Sequence, residues 1–172
     1  VERARIDSSG KLLVGTTGSL ANGYIFNASG FLQHCRPSGG AQSMTGFYNG
    51  GNVVGEIRTS TTSTSYLTSS DYRLKEDWVA VADASTRVNA LKPVNFAWIA
   101  NGARVDGFLA HELAEVVPEA VTGEKDAVDA EGKPVYQGID QSKLVPLLTA
   151  ALQEALAQIE SLTARVSALE GN

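Results

Sequence analysis

The twelve residues at 59–70 include ten serines and threonines, and the chain follows different rules on either side of them. A run this polar supplies no core, so it reads as a linker or a final exposed strand, and it divides the chain in two. Residues 1–69 hold eleven of the seventeen glycines and few charges. Short β-like runs at 11–15, 23–27, 46–51 and 53–57 alternate with turn signals, of which Asp7-Ser8-Ser9-Gly10 and Asn49-Gly50 are the clearest. Such strands are too short and too poor in aliphatic residues for one copy to bury a sufficient core. The composition suits strands that find their core in neighbouring chains, as in an intertwined fibre. A small independent β-sandwich piece is the competing reading.

The whole chain has 172 residues, 43% of them hydrophobic and 19% charged, with a formal net charge of −5. These values exclude a disordered or collagen-like chain. The negative balance argues against nucleic acid or an anionic membrane surface as the main partner. Cys35 is the only cysteine, so no intrachain disulfide forms, and two histidines, His34 and His111, are too few for an ordinary metal centre. No metal and no cofactor is expected. No apolar run approaches the ~20 residues that cross a bilayer, so membrane insertion is not expected. Val1-Glu2-Arg3-Ala4-Arg5 leads into no apolar stretch, so no signal peptide is expected. The opening valine suggests a piece of a longer protein.

From Asp71 onward charges rise, glycines fall and helical patterns appear. The spacing predicts a short helix over 83–91, stopped before Pro93. A strand is predicted over 94–99, with Val94, Phe96 and Trp98 on one face. After an Asn101-Gly102 turn come a strand over 105–110 and a short helix over 111–117 ended by Pro118. Residues 120–122 and 135–137 read as the two sides of a hairpin. Asp140 is placed to cap a long helix over about 142–170, with Pro146 in its first turn.

That helix carries an a/d seam. Leu148, Leu152, Ala155, Ile159, Leu162, Val166 and Leu169 follow one another at intervals of 4, 3, 4, 3, 4 and 3, which puts Leu152, Ile159 and Val166 at a. In this register Arg165 falls at g and Glu170 at the following e, where opposite charges pair between chains. The alternative is an ordinary amphipathic helix on its own domain, but such a helix usually carries a wider apolar stripe. The seam predicts self-association and does not choose between dimer and trimer.

Three stretches resemble the intramolecular chaperone domain of phage tailspikes and tail fibres, classed as the peptidase S74 family. Ser70-Asp71-Tyr72-Arg73-Leu74-Lys75-Glu76 matches the pattern S-D-x-R-L-K-E. Gly107-Phe108-Leu109-Ala110-His111-Glu112-Leu113, continuing to Val117-Pro118-Glu119-Ala120-Val121, resembles G-F-I-A-Q-E followed by P-E-A-V. The third runs from Tyr136 to Asp140 into Leu144-Val145-Pro146-Leu147-Leu148 and the coiled coil. His111 departs from the glutamine common at that position. The resemblance covers about residues 69–170.

The resemblance implies an α+β chain: a β-rich intertwined trimeric fibre stalk over 1–69, then a small mixed α/β chaperone domain over 70–172 ending in a trimeric coiled coil. It implies a homotrimer joined to the remainder of the fibre upstream, seated in the virion tail after assembly in the host cytoplasm, with the chaperone domain released on maturation. Leu152, Ile159, Leu162, Val166 and Leu169 would hold the trimer. The family cuts its own chain before the motif serine. Carried over by position, the scissile bond is Ser69–Ser70, Ser70 is the nucleophile and Lys75 the general base of a single-turnover serine endopeptidase, acting in cis or within the trimer. Asp71, Arg73, His111 and Glu112 are its candidate supporting residues.

The physical demands on that dyad are specific. A serine hydroxyl is weak until a base takes its proton, and a lysine serves as base only where burial or nearby positive charge favours the neutral amine. Positions five apart face opposite ways on a strand and lie about 140° apart on a helix. Ser70 and Lys75 therefore meet within one chain only if the backbone turns between them. Without the resemblance, Ser70-Asp71 reads as a helix cap and Lys75 as a solvated charge. A free serine hydrolase with His111 as base lacks a nucleophile elbow. Cys35 beside His34 reads as a small packed residue rather than a thiol nucleophile. Two other functions stay open: a trimerisation module that does not cleave, and a receptor-binding fibre tip that takes a host surface glycan on residues such as Tyr24, Phe47, Tyr48 and Trp98.

Overall fold

The computed structural model describes residues 3–14, 23–26, 32–35 and 42–171. Gly15 and Asn27, expected at the ends of two strands, lie outside the described residues. The chain is mixed α/β with small antiparallel sheets and a long C-terminal helix, and it divides into two compact units, Val1–Asp77 and Trp78–Asn172.

The first unit holds two meanders. Strands β1 (Ala4–Ile6), β2 (Leu12–Val14), β3 (Gly23–Phe26) and β4 (Leu32–Cys35) pair in that order. The β1–β2 turn closes as its sequence predicts, with the Asp7 carboxylate accepting from the backbone of Ser9 and Lys11 and Gly10 at φ 76. Leu13 stands opposite Ile25, and both are buried. The other face carries a cross-strand row, Ile6 opposite Leu12, Leu12 opposite Phe26 and Phe26 opposite Leu32, and all four are exposed.

The second sheet pairs β5 (Gln42–Asn49), β6 (Asn52–Thr59) and β7 (Thr64–Thr68). Gly50 and Gly51, both at positive φ, form the two-residue loop between Asn49 and Asn52, the geometry whose twist matches paired strands. The serine–threonine run resolves into two parts. Ser60 and Ser63 close a turn through Ser60 N–H to Ser63 O at 2.8 Å and through their hydroxyls. Residues 64–68 then form β7, wholly exposed, against β6.

The second unit begins with α1 (Ala84–Ala90), then the hairpin of β8 (Val94–Ala97) and β9 (Arg104–Gly107). Strand β9 is shorter than predicted because the Leu109 carbonyl is already accepting from the backbone N–H groups of Glu112 and Leu113, opening α2 (Ala110–Ala114). That helix is correspondingly shorter than 111–117, and a 3-10 turn over Pro118–Ala120 follows. The predicted hairpin partner is corrected. Strand β10 (Val121–Thr122) pairs with β11 (Gly138–Ile139), not with 135–137. Val135 N–H is instead given to Ala127 O at 2.8 Å, inside the excursion.

Asp140 accepts from Ser142 N–H and opens a 3-10 turn, Gln141–Lys143, that feeds α3 (Leu144–Glu170). The core consists of Ala84, Leu113, Val117, Ala120, Leu144 and Leu147, with Val88, Leu91, Phe108 and Ile139 packed around it. The start of α3 is therefore anchored on α1 and α2 by Leu144 and Leu147. Leu148, Leu152, Ile159, Leu162, Val166 and Leu169 are 48% to 78% exposed, so the a/d seam has no cover within one chain.

Candidate active site

The site grows out of the end of β7. Register carries Thr68 opposite Gly55, and the next residue, Ser69, still gives its N–H to Val54 O at 3.1 Å. Its hydroxyl donates to Val53 O at 2.8 Å. The ladder stops there, and the backbone turns. Asp71, an acceptor suited to capping, takes the Arg73 N–H at 2.9 Å and opens a 3-10 turn over Tyr72–Leu74. Leu74 N–H and Lys75 N–H close it on the carbonyls of Asp71 and Tyr72, both at 3.1 Å.

This turn supplies the reversal that neither a strand nor a helix provides between positions 70 and 75. The Lys75 Nζ donates to the Ser70 Oγ at 2.7 Å within the one chain. Arg73 forms a bidentate pair with Asp71, Nε to Oδ1 at 2.9 Å and Nη2 to Oδ2 at 2.8 Å. The Arg73 side chain, followed by its backbone N–H, holds the Asp71 carboxyl below its usual value, and Asp71 raises the Arg73 guanidinium. Both shifts favour the charged pair that holds the turn. Ser69, Ser70, Asp71, Arg73 and Lys75 are all exposed.

Ser70, Lys75, Asp71 and Arg73 thus stand together in the first unit. His111 and Glu112 stand in the second, on α2. The Glu112 carboxylate faces Lys92 Nζ at 3.5 Å. His111 is half-buried and joins Phe96, Trp98, Phe108, Tyr136 and Gln141 around a cleft of about 780 Å³. Among the described residues no group of His, Cys, Asp or Glu is arranged to hold a metal ion. Among them too, no helix is long and apolar enough to cross a membrane.

Two groups at the site were not anticipated from sequence: the carbonyls of Val53 and Val54. They are backbone acceptors, and only the β6–β7 register brings them to Ser69.

An amine within hydrogen-bonding distance of a serine hydroxyl meets one geometric requirement of an activated nucleophile. Residues 70–122 match the family model Peptidase_S74, described as chaperone of endosialidase, which supports recognition of a chaperone domain in the C-terminal part of the chain. The match begins at the motif serine. The family is one of self-cleaving peptidases and points to a chaperone role in phage tail-fibre folding. No curated protein matches the chain.

Proposed function

We propose that this chain is the end of a phage tail fibre or tailspike, in which the C-terminal part is an intramolecular chaperone that assembles a homotrimer and then releases itself by cutting between Ser69 and Ser70. The observation that carries this reading is the 2.7 Å contact between Lys75 Nζ and Ser70 Oγ, reached through a capped turn at the start of the matched family region.

The chemistry runs through an acyl shift. Neutral Lys75 takes the proton of the Ser70 hydroxyl, and Oγ bonds to the Ser69 carbonyl carbon. The Ser69–Ser70 C–N bond then breaks, the proton passing to the Ser70 nitrogen, and an ester joins the two residues. Water hydrolyses that ester to a Ser69 carboxylate and a free Ser70 hydroxyl. A lysine accepts a proton only as the neutral amine, a form that desolvation favours. In one chain Ser70 and Lys75 are both exposed, so covering them with neighbouring chains is the step that turns the dyad on.

Two uncovered surfaces support the assembly. The α3 seam presents apolar side chains to solvent at the heptad spacing of a helix–helix contact, and the row Ile6, Leu12, Phe26 and Leu32 forms an exposed apolar patch on the first sheet. A C-terminal module that associates first raises the local concentration of the stalk strands, whose non-local pairing is otherwise slow. Removal of that module then leaves a stalk trapped kinetically.

Intact-mass measurement on the wild type, Ser70→Ala and Lys75→Ala under folding conditions tests the reading. The wild type should split between Ser69 and Ser70, and both variants should stay whole. A wild type that assembles and remains intact leaves a non-cleaving trimerisation module. The second reading, a receptor-binding tip, is favoured by the cleft beside Trp98 and Tyr136. It requires an uncleaved chain that binds a host glycan and loses it on Trp98→Ala.

A further inference from the structure

The hydrogen bonds of Ser69 have a consequence for when the cut occurs. The two halves of the scissile bond belong to different pieces of local structure. The nucleophile side, Ser70, is held by Lys75 across the capped turn. The acyl side, Ser69, is the last rung of the β6–β7 ladder, gripped twice by β6: N–H to Val54 O at 3.1 Å and Oγ to Val53 O at 2.8 Å. Fixing both the backbone and the side chain of Ser69 leaves one soft torsion, ψ, between the anchored residue and the carbonyl under attack.

We propose that Ser69 is a positioning residue whose anchoring on β6 licenses the cut, so that the Ser69–Ser70 bond is severed only after the last stalk strand has paired to its final rung. The inference rests on the proposed cleavage and adds a regulation to it. Association of the C-terminal part covers the dyad, and closure of β7 on β6 aims the carbonyl. A chain whose stalk is still unpaired keeps its chaperone, because the carbonyl sweeps freely past the hydroxyl. Attack needs near-contact geometry, and a displacement of about 1 Å costs on the order of 10²-fold in rate. The same arrangement protects the product. All five paired positions of β7, Thr64 to Thr68, lie upstream of the cut, so removing the chaperone breaks no rung of the sheet.

The test follows the single-turnover rate of cleavage in the full chain by intact mass after refolding, for the wild type, Ser69→Ala, Ser69→Thr and Gly55→Val. Ser69→Ala keeps the backbone rung and loses the hydroxyl grip, and should slow cleavage by about 10-fold. Ser69→Thr restores the hydroxyl and should bring the rate back to within about 2-fold of wild type. At Gly55 a Cβ would stand 2.9 Å from the Leu67 carbonyl oxygen, forcing β7 away from β6. Gly55→Val should therefore cut at least about 100-fold more slowly with Ser70 and Lys75 both present.

Because Gly55→Val loosens the sheet itself, the comparison of Ser69→Ala with Ser69→Thr is decisive. A merely structural serine would not give a rate that follows the hydroxyl while assembly and melting stay unchanged. A wild type that cleaves while Ser69→Ala keeps pace, or a Ser69→Thr as slow as Ser69→Ala, overturns the licensing role and leaves the protease intact. A wild type that never cleaves removes both.

Discussion

The two units solve the problem of burial in opposite ways. The second closes a core of its own: Ala84 from α1, Leu113 from α2, Val117 and Ala120 from the turn that follows, and Leu144 and Leu147 from the start of α3 are all buried. In the first, the only buried hydrophobic residues among those described are Leu13 and Ile25, while Phe26, Leu32, Phe47, Tyr48 and Tyr66 stand exposed. The row Ile6, Leu12, Phe26 and Leu32 leaves one face of the first sheet open to solvent within one chain. The second unit therefore closes a core within one chain, and the first leaves most of its large apolar side chains open to solvent.

Core truncation should separate the units most strongly. Leu147→Ala removes a buried side chain from the core of the second unit and should cost about 2–5 kcal/mol, read as a lower urea midpoint for that unit. Phe26→Ala, by contrast, removes a side chain that is 46% exposed in one chain. It should leave the dissociated chain unchanged and lower the melting temperature of the assembled one. If Phe26→Ala is silent in the assembly, the row from Ile6 to Leu32 is not a buried face and the contrast between the units fails.

A middle-sized effect is expected on the seam. Ile159→Asp puts a charge at an a position, well past the part of α3 held by Leu144 and Leu147. Sedimentation should show the oligomer lost, while the circular dichroism of the α1–α3 core persists. Loss of both together would mean that the second unit, too, depends on its neighbours.

Local order was legible where local chemistry decides it. Asp7-Ser8-Ser9-Gly10 and Asn49-Gly50 named their turns, and the a/d spacing ran the length of α3. Strands β1 and β4 were missed because Ala4-Arg5-Ile6 and Leu32-Gln33-His34-Cys35 offer few residues and no period. Residues 135–137 have strand-like composition, yet Gly123 at φ 83 and the bridge between Val128 and Pro134 spend that stretch on the excursion and leave Gly138–Ile139 for β10. At the site, the motif named Ser70 and Lys75, and the spacing stated the condition for their meeting. The hold of Val53 and Val54 on Ser69 is a matter of register between strands, which a motif does not carry.

The smallest effect concerns the cap of α1, which comes from a residue distant in the chain. Asp83 occupies the N-cap position of α1, but its backbone is left-handed at φ 53 and its side chain caps nothing. Glu154, 70 residues from Ala84 along the chain, does that work from α3: its carboxylate accepts from Ala84 N–H at 3.2 Å and Ser85 N–H at 2.8 Å. Bonding to Ser85, by its side chain first and then its backbone, with Ala84 adding less, holds the Glu154 carboxyl below its usual 4.5. A carboxyl lowered in the folded state stabilises that state above the unfolded value and ceases to do so as pH falls through the folded one. Glu154→Gln removes the charge and keeps the shape. The melting temperature of the second unit should therefore be lower in Glu154→Gln at pH 7, and the two proteins should converge as pH falls through the lowered folded value of Glu154, where the carboxyl becomes as neutral as the amide. A difference that stays constant from pH 7 to pH 3 would mean that packing alone joins α3 to α1. The contrast between the units would then owe nothing to the Glu154 charge.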